Sequence, residues 1–274
     1  VLELSSYQLE NWSALKLEHA AITFLSPNHL ERYDSLDDYY MTKWRIVDQT
    51  AGKLFLNKNG GELLEFAQKQ PEFNRCVVCS KEAKALQPLA LSHAELLGTH
   101  NQDNIALSAE IALHCHWPIS AIAGMKAFKG LEHRLENMGQ IKGIRFINDS
   151  KATAMDSVLT AAQVSHEALS ADGNLVVLLG GRNKNLPWDE LSLLGRLSRT
   201  SFVFFGECRE IAQNKSKLAG SSYENLNDAL TATFPKLKKN DTLLFSPGGT
   251  SLDEFKGFED RGRFFKHKVK SHYE

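Results

Sequence analysis

The stretch LVVLLGG, residues 175–181, decides the fold of this chain. Its apolar run is continuous, which is typical of a strand covered on both faces, because a half-exposed strand alternates apolar and polar residues. A second run, TLLFSPGG at 242–249, has the same character and also ends in a glycine pair. Glycine lacks a Cβ, so the backbone at both strand ends could approach a ligand closely. The two runs predict the centre of a parallel sheet.

Similar apolar runs recur along the chain with helical patterns between them. The predicted strands are 1–6, 20–26, 75–80, 144–149, 175–181, 201–206 and 242–249, and the predicted helices are 35–48, 61–70, 102–115, 154–169, 188–198, 207–213, 224–235 and 251–264. This alternation favours βαβ units and a mostly parallel sheet. The segment AGMKAFKGLEHR, with its glycines and lysines, indicates a boundary near 126–130. We therefore predict an α/β protein with one domain over 1–129 and a second over 130–274.

The composition argues against several classes of protein. The 274 residues carry 32 basic and 33 acidic side chains, and a net charge of −1 gives no global field that favours nucleic acid or membrane. No apolar run has the length of a membrane span, and no secretory signal is evident. We expect no nucleic-acid partner and no membrane partner. Cys76 and Cys79 lie in an apolar strand pattern and would face opposite sides, so core thiols and a cytoplasmic location are expected.

The segment IRFINDSKAT, residues 144–153, changes from an apolar strand to a dense polar cluster. A surface turn explains it if Asp149 or Ser150 caps the next helix. A ligand site also explains it, because the carboxyl ends of strands form the crevice of open α/β sheets and helix N-termini attract anions. Lys151 would suit a phosphate or carboxylate there. On this stretch alone both interpretations stay open.

Other polar residues lie at predicted strand ends or helix starts. Glu3 is either an exposed side chain or a Mg²⁺ ligand. Lys43 has aromatic and aliphatic neighbours; it is either a solvated lysine or a desolvated amine that could form a metal-binding carbamate with CO₂. Asn101 and Asn104 either cap a helix or read an adenine edge.

The later segments supply candidates for anion binding. Arg134 could neutralise charge on a transferring phosphoryl group. Lys184 in GGRNK and Ser251 in SPGGTS would suit a carboxylate ligand. Gly248 and Gly249 would leave space beside it.

Seven segments together resemble the Mur ligases over essentially the whole chain. In order they are ELSSYQLE, SPNHLERY with TKWRI, HNQDN, GLEHRLE, FINDSKAT, LLGGRNK and SPGGTSLDEFKGFEDRGRFF. The resemblance implies a cytoplasmic ligase of peptidoglycan synthesis that depends on ATP and Mg²⁺ and serves cell-wall biogenesis, cell shape and division. It further implies that D-glutamate is joined to UDP-N-acetylmuramoyl-L-alanine through an acyl phosphate. The implied fold is a partial central ATPase domain followed by a Rossmann-like C-terminal domain that binds amino acid and nucleotide.

The resemblance also implies roles for individual residues. The metal positions are Glu3, His29 and, if carbamylated, Lys43. The catalytic positions are Lys43, His133 and Arg134, with Arg134 near the γ-phosphate. The nucleotide positions are Asn101, Asn104, Arg134, Asp149 and Lys151. The D-glutamate positions are Thr153, Lys184, Ser251, Leu252 and Phe258.

The chain departs from the family pattern at several places. Asn28 stands where Asp is frequent, Ala154 where Asn is frequent, and 248–250 read GGT where ACA is common. The chain contains no GxxxxGK[ST] P-loop. We expect a fragment that needs the missing amino-terminal region, with its UDP-binding part, and that has little ligase activity alone. Another Mur ligase, a folylpolyglutamate synthase-like ligase and a non-catalytic binding module remain alternatives.

Overall fold

The computed structural model describes residues 1–12, 16–26, 32–83, 86, 96, 98–183 and 186–273, with backbone only at 99 and 126. The chain divides into two compact units, Val1–His93 with Gly98–Phe128 and Ala94–Leu97 with Lys129–Glu274. The division after Phe128 lies one residue before the boundary expected from the sequence. None of the described helices has the length and apolarity needed to cross a membrane.

The first unit is built on a three-stranded parallel sheet in the order β1-β2-β3. Its elements are α1 Ser6–Glu10, β1 Ala20–Ile22, α2 Leu36–Trp44, β2 Leu54–Asn57, α3 Leu63–Gln68, β3 Cys76–Cys79, α4 Thr99–His114 and α5 Ile119–Ala123, with 3₁₀ segments at Arg45–Val47, Pro71–Arg75 and Gly124–Ala127. Because successive strand residues face opposite sides, Leu54 and Leu56 join one core while Phe55 packs with Leu107 in another. The central strand β2 is therefore buried on both faces.

The predicted strand at 1–6 is wrong. Ser5 is instead the N-cap of α1 in a capping box, in which its Oγ accepts the N–H of Gln8 and the Gln8 side chain accepts the N–H of Ser5. These two bonds satisfy donors that the first helical turn leaves open. The pattern Ser-x-x-Gln thus outweighs the β propensity of the residues before it.

The second unit is built on a six-stranded sheet in the order β4-β5-β9-β6-β7-β8. Its elements are β4 Glu136–Ile141, β5 Ile144–Asn148, α6 Met155–Glu167, β6 Leu175–Gly180, β7 Thr200–Phe205, α7 Arg209–Ser216, β8 Gly220–Tyr223, α8 Leu226–Thr233, β9 Thr242–Gly248 and α9 Phe258–Tyr273, with 3₁₀ segments at Trp188–Arg196 and Phe234–Lys236. Only β4 runs antiparallel to its neighbour among these described strands. The predicted α/β class with a mostly parallel sheet is confirmed.

The two apolar runs form adjacent central strands. Each residue of β9 is buried, and β6 is buried at every position except Val176. Val177 and Leu179 face a core with Trp188, whereas Leu178 faces a core with Phe265 of α9. This double coverage accounts for the lack of polar alternation in both runs.

The predicted helix at 251–264 begins later than expected, at Phe258. Residues 251–257 form turns, in which the carbonyl of Ser251 accepts the N–H groups of Glu254 and Phe255. The run 188–198 forms a 3₁₀ helix over Trp188–Arg196. Residues 251–257 therefore lie as turns between the carboxyl end of β9 and the start of α9.

Candidate functional site

The carboxyl ends of β5, β9 and β6 lie side by side because these strands are parallel neighbours. Ligands of open α/β sheets bind at this edge. The polar cluster at 149–153 and both glycine pairs lie at these strand ends. This edge of the second unit is the candidate functional site.

Asp149 fixes the loop after β5 from inside the protein. It is 5% exposed, and its carboxylate accepts the Ser246 hydroxyl at 2.8 Å and the Leu135 N–H at 3.0 Å. Its own N–H donates to the carbonyl of Phe245. Burial raises the pKa of Asp149 to about 6. The carboxylate joins β5 both to β9 and to the segment that precedes β4.

The glycine pairs allow two loops to approach each other. The Gly249 N–H donates to the Gly180 carbonyl at 3.1 Å, and Arg182 and Thr250 exchange two backbone hydrogen bonds of 2.8 and 3.0 Å. A Cβ on Gly249 would lie 2.6 Å from the Gly180 oxygen. Gly181 has φ +101°, which other residues rarely adopt. The space expected for a ligand beside these glycines is filled by the neighbouring loop.

Arg261 was missed by the sequence analysis, yet it connects the loops after β5 and β9. Its guanidinium is fully buried and donates to the Ser150 carbonyl at 2.9 Å, the Ser150 hydroxyl at 3.2 Å and the Gly249 carbonyl at 3.0 Å. Burial lowers its pKa to about 10. A signal existed, because Arg261 shares the spacing of four with buried Phe265 and Val269 on α9.

His133 lies in a buried polar network next to exposed Arg134. The His133 side chain is 3% exposed, and its Nδ1 lies 2.9 Å from Nδ2 of Asn148. Its N–H donates to Glu136, and its carbonyl accepts the N–H of Lys151 at 3.0 Å. The structure thus brings together the segment of His133 and Arg134 and the loop after β5.

Four predicted amino-acid-binding residues lie in the loops at this edge and at the start of α9. Thr153 is exposed before α6, Ser251 is 4% exposed, and Leu252 is 49% exposed. Phe258 is half-buried, with the Lys151 ammonium 5.9 Å from its ring centroid. Lys184, the fifth, lies outside the described residues.

The first unit holds the other predicted residues. Glu3 is exposed, and His29 and Asn28 lie outside the described residues. Lys43 is half-buried in the last turn of α2, 5.3 Å from the Tyr39 ring centroid, and burial lowers its pKa. Asn101 and Asn104 lie at the start of α4, and Asn104 is exposed.

Magnesium prefers oxygen ligands, which gives a chemical test of the predicted metal residues. Glu3 supplies a carboxylate, whereas Lys43 supplies oxygen only as a carbamate. The lowered pKa of Lys43 suits carbamate formation because it leaves more of the amine unprotonated. The donor chemistry of these two residues therefore fits the ion.

A different group has metal-like spacing in the part of the chain that the structure describes. Glu132, His133 and Glu136 place ligand atoms within 4.8 Å of one another. However, the Lys266 ammonium lies 2.7 Å from Glu132 and 2.5 Å from Glu136. One cationic side chain thus already contacts both carboxylates.

A cavity of about 550 Å³ opens at the opposite, amino-terminal edge of the second sheet. Its lining includes Ser201, Ser221 and Lys236. None of the site residues predicted from the sequence lines this cavity, so its position does not bear on their roles.

Comparison with known proteins places the chain among relatives of one type. Residues 1–121 match the family model described as the Mur ligase middle domain. Proteins named UDP-N-acetylmuramoylalanine--D-glutamate ligase are similar: the one from Buchnera aphidicola is 31% identical over 98% of this chain and 64% of its own length. The one from Bacteroides fragilis is 31% identical over 98% and 65%. The chain therefore spans slightly less than two thirds of the length of these relatives.

Solved structures show the same fold at low identity. MurF from Acinetobacter baumannii has a TM-score of 0.66 and 15% identity over 92% of this chain and 60% of its own. FolC from E. coli, in complex with ADP, has a TM-score of 0.63 and 14% identity over 93% of this chain and 62% of its own. The resemblance read from the sequence motifs is confirmed: residues 1–121 match the Mur ligase middle domain, and the chain is similar to ligases of this type over 98% of its length.

Proposed function

We propose that this chain is part of an ATP-dependent ligase of peptidoglycan synthesis that adds D-glutamate to UDP-N-acetylmuramoyl-L-alanine. The observation that supports it most is the edge formed by β5 and β9. There Arg134 and Lys151 lie in segments joined by a backbone hydrogen bond, and Ser251 and Leu252 follow the neighbouring strand. The relatives named for this activity match 98% of the chain.

The proposed reaction has two steps. A substrate carboxylate oxygen attacks the γ-phosphorus of ATP, and ADP leaves with the electron pair of the broken P–O bond. The amine of D-glutamate then attacks the acyl carbon, phosphate leaves, and the nitrogen loses a proton to give the amide. Both steps gather anions, so positive side chains aimed at the transferring group lower the barrier.

In this proposal, different residues of the sheet edge neutralise charge and bind the amino acid. Arg134 and Lys151 are exposed cations that reduce repulsion between carboxylate and triphosphate. Thr153, Ser251, Leu252 and Phe258 form the amino-acid side, together with Lys184. In the other unit, Asn101 and Asn104 contact the nucleotide, and Glu3, His29 and carbamylated Lys43 would hold Mg²⁺, which supplies further charge neutralisation.

Asp149 acts in this proposal through other groups, although the resemblance assigns it to the nucleotide. Both of its carboxylate oxygens accept hydrogen bonds inside the protein. By holding the Leu135 N–H it fixes the backbone beside Arg134. We therefore assign Asp149 a positioning role.

The proposed partner is the amino-terminal region of the same enzyme, which would supply the P-loop and the UDP-binding part. Without that region we expect this chain to release little or no phosphate from ATP. The four cysteines are free thiols, which supports a cytoplasmic location. Cys79 and Cys208 are buried, and burial raises the pKa of each thiol to about 12.

Amino-acid binding to the full 274-residue chain tests the proposal. Calorimetric titrations with D-glutamate, L-glutamate and meso-diaminopimelate should show a preference for D-glutamate. Ser251→Ala should weaken this binding, whereas Ser221→Ala, on the exposed edge strand β8, should not. A preference for the diamino acid, or equal binding of both glutamate enantiomers, would refute the assignment.

A further inference from the structure

The buried network around His133 contains more polar groups than the proposed reaction uses. Asn148 is the last residue of β5 and is fully buried. Its Nδ2 lies 2.9 Å from His133 Nδ1 and 2.9 Å from Glu136 Oε2, and its Oδ1 accepts the Ser150 N–H at 3.3 Å. All four hydrogen-bonding groups belong to the second unit.

These contacts determine which way the Asn148 amide points. Glu136 is a carboxylate and only accepts, and the Ser150 N–H only donates. A reversed amide would set oxygen against the Glu136 carboxylate and NH₂ against the Ser150 N–H. The NH₂ group therefore faces both Glu136 and His133, and each of its two hydrogens has an acceptor.

The orientation of Asn148 in turn determines the tautomer of His133. Because Asn148 donates to Nδ1, Nδ1 must offer its lone pair, and the ring proton lies on Nε2. Nε2 is buried and has no hydrogen-bond partner among the described residues; the nearest carboxylate oxygen, on Glu132, is 3.9 Å away. The ring packs against Gly262 and lies at 80° to the Phe258 ring with the centroids 6.3 Å apart, so these neighbours restrict its rotation.

The hydrogen bonds of His133 also affect the metal-like cluster of Glu132, His133 and Glu136. With the proton on Nε2 and the Nδ1 lone pair engaged by Asn148, neither ring nitrogen has a free lone pair for a metal ion. Lys266 of α9 already contacts Glu132 and Glu136, the two carboxylates that face His133. The engaged His133 nitrogen and the Lys266 ammonium both disfavour a metal ion in this cluster.

We propose that Asn148 is a positioning residue: it holds His133 as the neutral Nε2–H tautomer and, through its second amide hydrogen, holds Glu136, which also contacts Lys266. The consequence is local geometry. His133 has φ +66°, an uncommon backbone conformation for a residue with a side chain, and this conformation sets where exposed Arg134 departs from the chain. The inference rests on the proposed function only in its link to the role of Arg134.

Nuclear magnetic resonance of the full chain tests this directly, without any substrate. Two-bond ¹H–¹⁵N correlations at neutral pH, assigned with His133→Gln, report which ring nitrogen carries the proton. We expect protonated Nε2 and unprotonated Nδ1 in the wild-type chain, and no change of the His133 signals on titration with ZnCl₂. A proton on Nδ1, or loss of these signals at one equivalent of zinc, would overturn the proposal whatever the ligase activity proves to be.

A pair of variants tests the part played by Asn148. Asn148→Asp replaces the donor by a carboxylate, so the His133 proton should move to Nδ1. Asn137→Asp adds the same charge on β4, where Asn137 accepts the Gly139 N–H and does not contact His133, and the tautomer should stay unchanged. Retention of the Nε2–H tautomer in folded Asn148→Asp would overturn the proposal. If that variant does not fold, the wild-type measurement decides.

Discussion

Gly262→Ala gives a sharp test of how closely α9 packs against the candidate site. In an ordinary helix, Ala is more favourable than Gly by about 1 kcal/mol, so propensity alone predicts stabilisation. The packing predicts the opposite. A Cβ at residue 262 would lie 2.8 Å from Cε1 and 2.9 Å from Cγ of His133, and closer still to Nδ1.

The free energy lost by overpacking at residue 262 should exceed the free energy gained from the higher helix propensity of Ala. The His133 ring is buried and held by Asn148, so relief of the clash must break the hydrogen bond to Nδ1 or move α9. Overpacking costs about 1–3 kcal/mol, and a stranded buried donor on Asn148 adds about 1–3 kcal/mol. After subtraction of about 1 kcal/mol for helix propensity, we expect Gly262→Ala to lose about 1–5 kcal/mol of unfolding free energy.

Urea denaturation combined with native-state hydrogen exchange of β5 and β9 amides measures this effect in the second unit alone. Gly195→Ala is the matched control, because a Cβ there would meet only Leu218 at an ordinary 3.5 Å. The control should be neutral or stabilised by up to about 1 kcal/mol. If Gly262→Ala matched the control, the close packing of His133 against α9 would be refuted.

Other buried polar groups of the second unit give contrasting expectations. Arg261→Ala strands the carbonyl oxygens of Ser150 and Gly249 and should lose about 2–4 kcal/mol by urea denaturation, with Arg261→Lys in between; unchanged stability would contradict the role of Arg261. Asp149→Asn can still accept one bond and donate the other, so its unfolding free energy at pH 7 should not fall by more than about 1 kcal/mol. Asp241→Asn, whose two oxygens both accept N–H groups, should lose about 1–3 kcal/mol. Because the pKa of Asp149 is raised from 3.8 to about 6, the folded chain binds more protons than the unfolded chain between these values. Protonated Asp149 therefore stabilises the folded chain below about pH 4, and this stabilisation is lost as the pH rises through 6. In Asp149→Asn the unfolding free energy should vary less with pH between about 4 and 6 than in wild type. If it varied equally in both, Asp149 would be excluded as the source of the pH dependence.

The strands that the sequence predicted well are those with a strong one-dimensional pattern. β6 and β9 are apolar at nearly every position because helices cover both faces of the sheet. The strands that it missed are short or edge strands: β2 has four residues, β4 is half-buried along most of its length, and β8, GSSY, is largely exposed. Such strands are defined by pairing with a neighbour, which hydropathy does not encode.

The residues of the candidate site also differ in whether the sequence alone predicts their position. The strand-end rule placed Asp149, Lys151 and Ser251 at one edge because each lies at the end of a predicted strand or two residues beyond it. It could not find Arg261, whose partner Ser150 is 111 residues away in sequence. A buried polar side chain is recognised only through its partners, and tertiary structure supplies them.

Burial separates the groups that hold the edge of the sheet from the groups that can meet a ligand. Asn148, Asp149 and Arg261 are each at most 5% exposed, and each joins segments that are distant in sequence. Removing one partner leaves a buried polar group unsatisfied, so the loops are held in one arrangement before any ligand binds. Arg134, Lys151 and Leu252 extend from those loops into solvent. The backbone that carries these side chains is already ordered before a ligand binds. Ligand binding therefore loses less free energy to ordering the loops, and more of the interaction energy contributes to affinity for an anion.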